Sequence, residues 1–184
     1  AEGVPCVGDW VCVSLLDARS HATIHQLLPR RSFLRRKSPG RGVEFQMIAA
    51  NIDVAFIVQA CHFDFNLRRL ERYLVMVRDG RIRPVVLLTK TDLVGPEIVA
   101  DLLASVRRAA SDVPVVPVSN VTGAGLDEVR RLLRPGETCC LLGSSGVGKT
   151  TLINQLTGSA TLETGRVSHT GEGRHITTRR QLIV

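Results

Sequence analysis

The stretch at residues 143–150, GSSGVGKT, constrains the fold more than any other part of the chain. It matches the pattern G-x-x-x-x-G-K-[ST] at every specified position. An apolar run at residues 138–142 precedes it and predicts a buried strand, and residues 151–156 follow with apolar side chains at helical spacing. A strand, a glycine-rich loop and a helix N-terminus in this order direct backbone N–H groups at an anion. The stretch therefore predicts a phosphate-binding loop on an α/β sheet.

Residues of three types give this loop its expected chemistry. Glycines let the backbone curl inward, the Lys149 ammonium can reach the β- and γ-phosphates, and the Thr150 hydroxyl can ligate Mg²⁺. The competing interpretation is a glycine- and serine-rich turn ahead of an ordinary helix, which the flanking strand disfavours. The predicted phosphate-binding set, in which Lys149 also acts in catalysis, is Gly143, Ser144, Ser145, Gly146, Val147, Gly148, Lys149, Thr150 and Thr151.

Around this loop, residues 47–184 alternate between strand and helix patterns. Pro114 and Pro117 indicate that their strand lies near a sheet edge, because proline cannot donate to a β-ladder. The alternation predicts an α/β domain with a mostly parallel sheet and helices on both faces. Apolar runs predict its strands, at residues 54–58, 83–88, 113–118 and 138–142.

Residues 1–46 show a different pattern, with no evident helix. Residues 7–15 and 22–28 predict short β-strands, and because two strands alone are marginal, we expect part of a small β-barrel. A basic connector at residues 29–41 belongs to this unit, in a chain whose net charge is +7. Cationic side chains around an aromatic one suit contact with an RNA backbone, and a solvated linker is the alternative. The predicted RNA-binding residues are Arg30, Arg31, Arg35, Arg36 and Lys37.

The apolar residues and the cysteines indicate in which compartment the protein is expected. Apolar residues make up 44% of the 184 residues, enough for a core, but no apolar run approaches the ~20 residues that span a bilayer. The five cysteines include no C-x-x-C pair, and some fall within predicted strands, where a reduced thiol behaves as a small hydrophobe. We therefore expect a cytoplasmic protein without a membrane partner. We also expect it to be a monomer.

Polar side chains follow the predicted strands, at the sheet edge where ligands bind in such folds. Thr89, Lys90 and Asp92 follow the strand at 83–88. A strand-end aspartate can accept hydrogen bonds from N1–H and the exocyclic amine of guanine, whereas adenine offers no matching donors, and a lysine stem can pack along the base. A helix-capping aspartate beside a loop lysine is the alternative. A second group, with a backbone N–H that could bond guanine O6, follows the next strand: Ser119, Asn120 and Val121.

These residues resemble the translation-factor class of GTPases, whose base-recognition motif is [N/T]-K-x-D and whose later motif is similar to S-A-K. Thr89 stands where asparagine is usual, so we expect one loop-tying side-chain amide to be missing. Asn120 and Val121 replace the alanine and lysine of the later motif. Ras-like GTPases begin with the phosphate loop, but here both base motifs precede it. The chain therefore resembles a circularly permuted GTPase.

A closer resemblance, spanning residues 5–184, is to the ribosome small-subunit-dependent GTPase A (RsgA, YjeQ) family. It rests on the β-barrel strands, the arginine-rich connector, AANID at 49–53, GSSGVGKT, and a G-x-H-x-T-T stretch at 173–178. The resemblance implies an OB-fold that binds ribosomal RNA. It also implies GTP hydrolysis during late maturation of the small (30S) ribosomal subunit, slow alone and stimulated by that subunit. Its cofactor is Mg²⁺ with GTP or GDP, and zinc is expected only in a C-terminal domain that this chain lacks.

The same resemblance assigns residues 173–179 to switch I. Thr178, with Thr177 as the alternative, is expected to ligate Mg²⁺ and close on the γ-phosphate. Switch II is expected to be missing from this chain, which makes His175 the candidate for orienting the attacking water; an exposed loop histidine is the alternative. Two rival functions are a nucleotide-gated RNA-binding module with little catalysis and a phosphate-loop ATPase, which Asp92 disfavours.

Overall fold

The computed structural model describes residues 3–15, 21–37, 45–158 and 182. In its N-terminal part, β1 (Val11–Leu15) pairs antiparallel with β2 (Ala22–Leu27). A second antiparallel pair joins β3 (Phe33–Lys37) and β4 (Phe45–Ala50). The strands predicted at residues 7–15 and 22–28 are therefore present, although β1 begins four residues later than predicted and β2 ends one residue earlier.

The rest of the described chain alternates between strands and helices. In order along the sequence, its strands are β5 (Val54–Ala60), β6 (Arg83–Thr89), β7 (Val115–Pro117) and β8 (Cys139–Leu142). They form one sheet in the order β7-β6-β5-β8, and each neighbouring pair is parallel. The predicted parallel α/β sheet is thus confirmed, and the proline-containing strand β7 lies at its edge.

Four α-helices separate or follow these strands: α1 (Leu67–Asp79), α2 (Pro96–Ala109), α3 (Leu126–Leu132) and α4 (Lys149–Thr157). The Asn66 side chain caps α1 by accepting a hydrogen bond from the backbone N–H of Arg69, and Pro96 opens α2. Within the described residues, no helix has both the length and the apolar character needed to cross a bilayer.

The core lies on both faces of the sheet because strand side chains alternate in direction. On one face, Ala55 and Ile57 of β5 pack with residues of α1 and α2. On the other face, Phe56 and Val58 pack with residues of α3 and α4. Every residue of β5 is buried, which explains why this strand is a continuous apolar run. The prediction of helices on both faces is confirmed.

Strand β3 lies inside the segment that was predicted as a basic connector. Leu34 is buried in the same apolar cluster as α1, and the backbone N–H of Phe33 donates to the Gly80 carbonyl at 3.1 Å. The Arg35 side chain reaches Asp79, at the end of α1, with an N–O distance of 3.1 Å. The linker alternative is therefore wrong for Phe33–Lys37, and β4 crosses the predicted domain boundary between residues 46 and 47.

Candidate nucleotide-binding site

The four parallel strands end at one edge of the sheet. Their registers pair Ala60 with Thr89, Leu88 with Pro117, and Ile57 with Leu142. The loops that follow these strands are consequently brought together, as the strand-end prediction requires. They contain the phosphate loop, both predicted base motifs, and a fourth segment between β5 and α1.

The phosphate loop leaves β8 close to the neighbouring strand and turns directly into α4. A side chain at Gly143 would place its Cβ 2.4 Å from the Val58 carbonyl oxygen, so only glycine fits there. Gly148 has φ +94°, and its Cβ would lie 2.8 Å from the Asn120 amide nitrogen. Val147 is buried in the core and anchors the loop from inside. Thr150 and Thr151 follow Lys149 in the first turn of α4.

The Lys149 ammonium is folded back onto its own loop. It donates to the Gly143 carbonyl at 2.9 Å and to the Ser144 carbonyl at 2.6 Å. Burial lowers the pKa of Lys149, and the negative charge of Asp64 opposes that shift. A phosphate that enters the loop offers stronger, charged acceptors than these carbonyls, so the ammonium can exchange one set of partners for the other.

The two predicted base motifs meet through a short hydrogen bond. The Ser119 hydroxyl donates to the Asp92 carboxylate at 2.5 Å and accepts the backbone N–H groups of Val121 and Thr122 at 3.2 and 3.1 Å. Asp92 is exposed, so its carboxylate can be reached by a ligand. Lys90 has a left-handed backbone with φ +60°. The Val121 side chain is 82% exposed at the same edge of the sheet.

The base motifs are tied to the phosphate loop by two side chains. The buried Thr89 hydroxyl donates to the Val147 carbonyl at 2.7 Å. The Asn120 amide donates to the Gly148 carbonyl at 3.1 Å. Position 89 provides no side-chain amide, and the ties to the phosphate loop come from the Thr89 hydroxyl and from the Asn120 amide at the neighbouring strand end. Its position beside Gly148 depends on the parallel sheet, which local sequence patterns do not reveal.

A carboxylate that the sequence analysis did not single out also contacts the phosphate loop. Asp64, between β5 and α1, accepts a hydrogen bond from the Ser144 hydroxyl at 2.7 Å. The Arg69 guanidinium donates to the same carboxylate at 2.8 Å and also to the Asp64 carbonyl. Asp64 follows the end of β5, just as the predicted site residues follow the ends of the other three strands. Its place after a strand is therefore the sequence signal that indicates it.

The described residues also limit which other chemistry the site can support. Burial raises the pKa of Cys61 to about 11 and that of Cys140 to about 12, so neither thiol is a ready nucleophile at neutral pH. No group of three or more His, Cys, Asp or Glu side chains within the described ranges is arranged to hold a metal ion. The hydroxyl of Thr150, next to Lys149, is a hard oxygen donor of the kind that Mg²⁺ accepts together with phosphate oxygens.

The cations of the basic segment differ in how far they are buried. Arg30 forms a two-pronged ion pair with Asp9, with both N–O distances 2.7 Å, and both side chains are largely buried. The Arg35 guanidinium lies 4.9 Å from the Phe33 ring centroid and 4.3 Å from that of Phe45. These contacts give both arginines a structural role that the sequence did not predict. In the described part of the segment, the exposed cations are Arg31, Arg36 and Lys37. Arg31 lies 3.9 Å from the Asp53 carboxylate, and Arg36 donates to the Gln46 side-chain oxygen at 3.0 Å.

The predicted switch I residues cannot be placed against this geometry. His175, Thr177 and Thr178 lie outside the described residues.

Comparison with known proteins identifies close relatives. The RsgA GTPase family model matches residues 27–184. A small ribosomal subunit biogenesis GTPase RsgA from Opitutus terrae is 43% identical over an alignment of 189 residues, gaps included. The alignment covers 98% of this chain and 51% of that protein. The protein of the same name from Methanosarcina acetivorans is 44% identical over 181 residues, with 98% and 48% covered. RsgA 2 from Lactiplantibacillus plantarum is 45% identical over 180 residues, with 97% and 50% covered.

Two solved structures share the fold. YjeQ from Thermotoga maritima superposes with a TM-score of 0.67 at 23% identity, over 89% of this chain and 55% of that one. YloQ, a circularly permuted GTPase, superposes with a TM-score of 0.56 at 22% identity, over 82% and 49%. The predicted permuted fold is therefore confirmed. The chain spans about half the length of the curated relatives that it matches.

Proposed function

The chain belongs to the RsgA GTPase family, and from this membership and the site geometry we propose that it binds and hydrolyses GTP during maturation of the small ribosomal subunit. One observation carries the nucleotide part of the proposal. Asp92 is held by Ser119, while Thr89 and Asn120 tie the two base motifs to the phosphate loop. These hydrogen bonds fix the predicted base motifs in position relative to the phosphate loop.

Binding would use groups that already point at the sheet edge. Backbone N–H groups of residues 143–150 would surround the phosphates, and Lys149 would leave the loop carbonyls for the β- and γ-phosphate oxygens. Mg²⁺ would arrive with the nucleotide and be held by its phosphate oxygens and the Thr150 hydroxyl. Asp92 would accept the N1–H and exocyclic amine of guanine. Lys90 and the exposed Val121 would pack along the base.

Hydrolysis needs a water that attacks the γ-phosphorus while the bond to the bridging oxygen breaks, giving GDP and inorganic phosphate. Lys149 would stabilise the charge that develops on the phosphate oxygens. We keep Thr178, with Thr177 as the alternative, as the switch I residue that completes the Mg²⁺ site. His175 remains the candidate for orienting the water, and an exposed loop histidine is its alternative.

The ribosomal part of the proposal rests on the names of the relatives and on the charge of the basic segment. Exposed cations release counterions when they contact phosphates, which favours RNA as the partner of this surface. We propose that the N-terminal strands belong to an OB-like barrel that contacts ribosomal RNA through Arg31, Arg36 and Lys37. A monomer acting in the cytoplasm fits this role.

Turnover of GTP, measured with and without purified small ribosomal subunits, tests the proposal. We expect slow hydrolysis by the protein alone and strong stimulation by the subunits. A protein that binds GTP and RNA but gains no turnover would favour the rival function, a nucleotide-gated RNA-binding module.

Nucleotide choice tests the base site separately. The parent should bind GDP and not ADP, whereas the Asp92→Asn variant should lose GDP affinity and gain affinity for xanthosine diphosphate, because an amide donor matches the C2 carbonyl of xanthine. Losing two hydrogen bonds to a charged group should cost about 2–4 kcal/mol. Equal binding of ADP and GDP by the parent would instead support the ATPase alternative.

A further inference from the structure

The segment between β5 and α1 lies beside the phosphate loop and is tied by hydrogen bonds to β5 and to the start of α1. Gln59, fully buried in β5, bonds the backbone of Asn66 twice, accepting from its N–H at 2.8 Å and donating to its carbonyl at 3.2 Å. The Asn66 side chain then caps α1. Asp64 lies between these fixed points, so its carboxylate has a defined position relative to the sheet.

From this position Asp64 holds the part of the phosphate loop that holds Lys149. Its carboxylate accepts from the Ser144 hydroxyl at 2.7 Å, and the Ser144 carbonyl accepts from the Lys149 ammonium at 2.6 Å. Asp64, Ser144 and Lys149 therefore form one continuous chain of contacts. A loop carbonyl fixed in this way keeps the ammonium at the mouth of the loop before any ligand arrives.

A negative charge beside an anion site would ordinarily oppose phosphate binding, and the structure offsets it. The Arg69 guanidinium donates to the Asp64 carboxylate at 2.8 Å, and the ion pair is largely shielded from solvent. Asp64 can therefore act as a hydrogen-bond acceptor for Ser144 while Arg69 balances its charge. The arrangement orients the loop without presenting an unpaired carboxylate to the ligand.

We propose that Asp64 is a positioning residue for the phosphate loop, which it orders through Ser144 so that the loop is shaped for the phosphates of a guanine nucleotide before binding. The inference rests on the proposed nucleotide binding. Pre-ordering matters because a loop that must be fixed during binding reduces the affinity. We therefore expect Asp64 to affect the affinity for the nucleotide rather than the choice of base.

A double-mutant cycle in the full chain tests this inference, with fluorescent GDP as the probe. Asp64→Ala and Ser144→Ala should each weaken GDP binding by about tenfold, which corresponds to the loss of one hydrogen bond to a charged group. The double variant should be no weaker than Asp64→Ala alone, because both changes remove the same contact. A double variant that loses the product of the two factors would overturn the inference.

A conservative variant gives a readout that general loss of structure would not reproduce. Asp64→Asn keeps an oxygen that can accept from the Ser144 hydroxyl, so it should bind GDP more tightly than Asp64→Ala. In the Ser144→Ala background, which lacks the donor, the two Asp64 variants should bind GDP equally. Equal GDP affinity of Asp64→Asn and Asp64→Ala in the parent background would contradict the inference.

Asp112→Asn is the matched control, because Asp112 also pairs with an arginine of α1, with an N–O distance of 2.7 Å to Arg78, but far from the loop. It should bind GDP like the parent. If Asp64→Ala does not fold, as judged by circular dichroism, Asp64→Val, which also removes the acceptor, closes the same cycle with Ser144→Ala. Failure of both the parent and Asp112→Asn to bind GDP would overturn the proposed function itself, and this inference with it.

Discussion

Replacing Thr89 by valine tests how the base motif and the phosphate loop are joined. Thr89 is fully buried, and its hydroxyl donates to the Val147 carbonyl at 2.7 Å. Valine keeps the shape of the side chain but removes the donor. The Val147 side chain is itself in the core, so the loop cannot easily move its carbonyl toward water. A buried carbonyl that loses its donor costs about 1–3 kcal/mol.

This cost should appear in two measurements on the Thr89→Val variant. The free energy of unfolding, from urea titrations followed by circular dichroism, should fall by about 1–3 kcal/mol. GDP affinity should fall by about tenfold if roughly 1.4 kcal/mol of that cost must be repaid when the phosphates bind. In the parent, the Thr89 hydroxyl holds the phosphate loop in this shape, so the same cost does not arise.

Two control variants separate the tie from the loss of a hydroxyl in general. Thr89→Ser keeps the donor and should retain most of the affinity. Thr157→Val removes a hydroxyl that donates to the Ile153 carbonyl at 2.9 Å, at the exposed far end of α4, where water can replace it. It should resemble the parent. Parental stability and GDP affinity in Thr89→Val would refute the reasoning.

The remaining predictions concern RNA, acid stability and catalysis. Replacing Arg31, Arg36 and Lys37 by alanine should reduce the magnitude of the slope of log K against log salt for subunit binding by about 2–3. An unchanged slope would mean that these side chains do not contact RNA phosphates. The hydrogen bond from Arg30 lowers the pKa of Asp9 from its ordinary value of 3.8 to about 2. The stabilisation by this pair is therefore fully present above pH 3.8 and is lost as the pH falls through about 2. Asp9→Asn should flatten the stability curve in this range, and a curve as steep as the parent's would contradict the pairing. His175→Ala should lower subunit-stimulated turnover by about 10²-fold or more; full turnover would eliminate its catalytic role.

The elements predicted from periodicity are those whose pattern records their burial. Strand β5 is buried on both faces, so its sequence is a continuous apolar run, and α1 presents Leu70, Leu74 and Val77 to the core at helical spacing. In both cases the side chains that define the pattern are also those that make the contacts. The parallel direction of neighbouring strands was predicted from the alternation of strands and helices.

Strand β3 could not be predicted in the same way because its stability comes from distant partners. Its sequence, FLRRK, is dominated by cations, and Leu34 is its one fully buried side chain. Pairing with β4 and the contact of Phe33 with Gly80 supply the order that local propensity lacks. The contact between Asp64 and Ser144 likewise joins residues 80 positions apart in the sequence, so no local pattern indicates it.

The geometry of the site explains why a circularly permuted order of the motifs still brings them together. A ligand at the edge of a parallel sheet is contacted by whatever follows the strand ends, and that depends on which strands are neighbours. Strand β8, which carries the phosphate loop, pairs with β5, which in turn pairs with β6, which carries the base motif. The ties from Thr89 and Asn120 to the phosphate loop run across this sheet rather than along the chain. Moving the chain ends changes the loop-closure cost of forming each contact but leaves the contacts themselves in place.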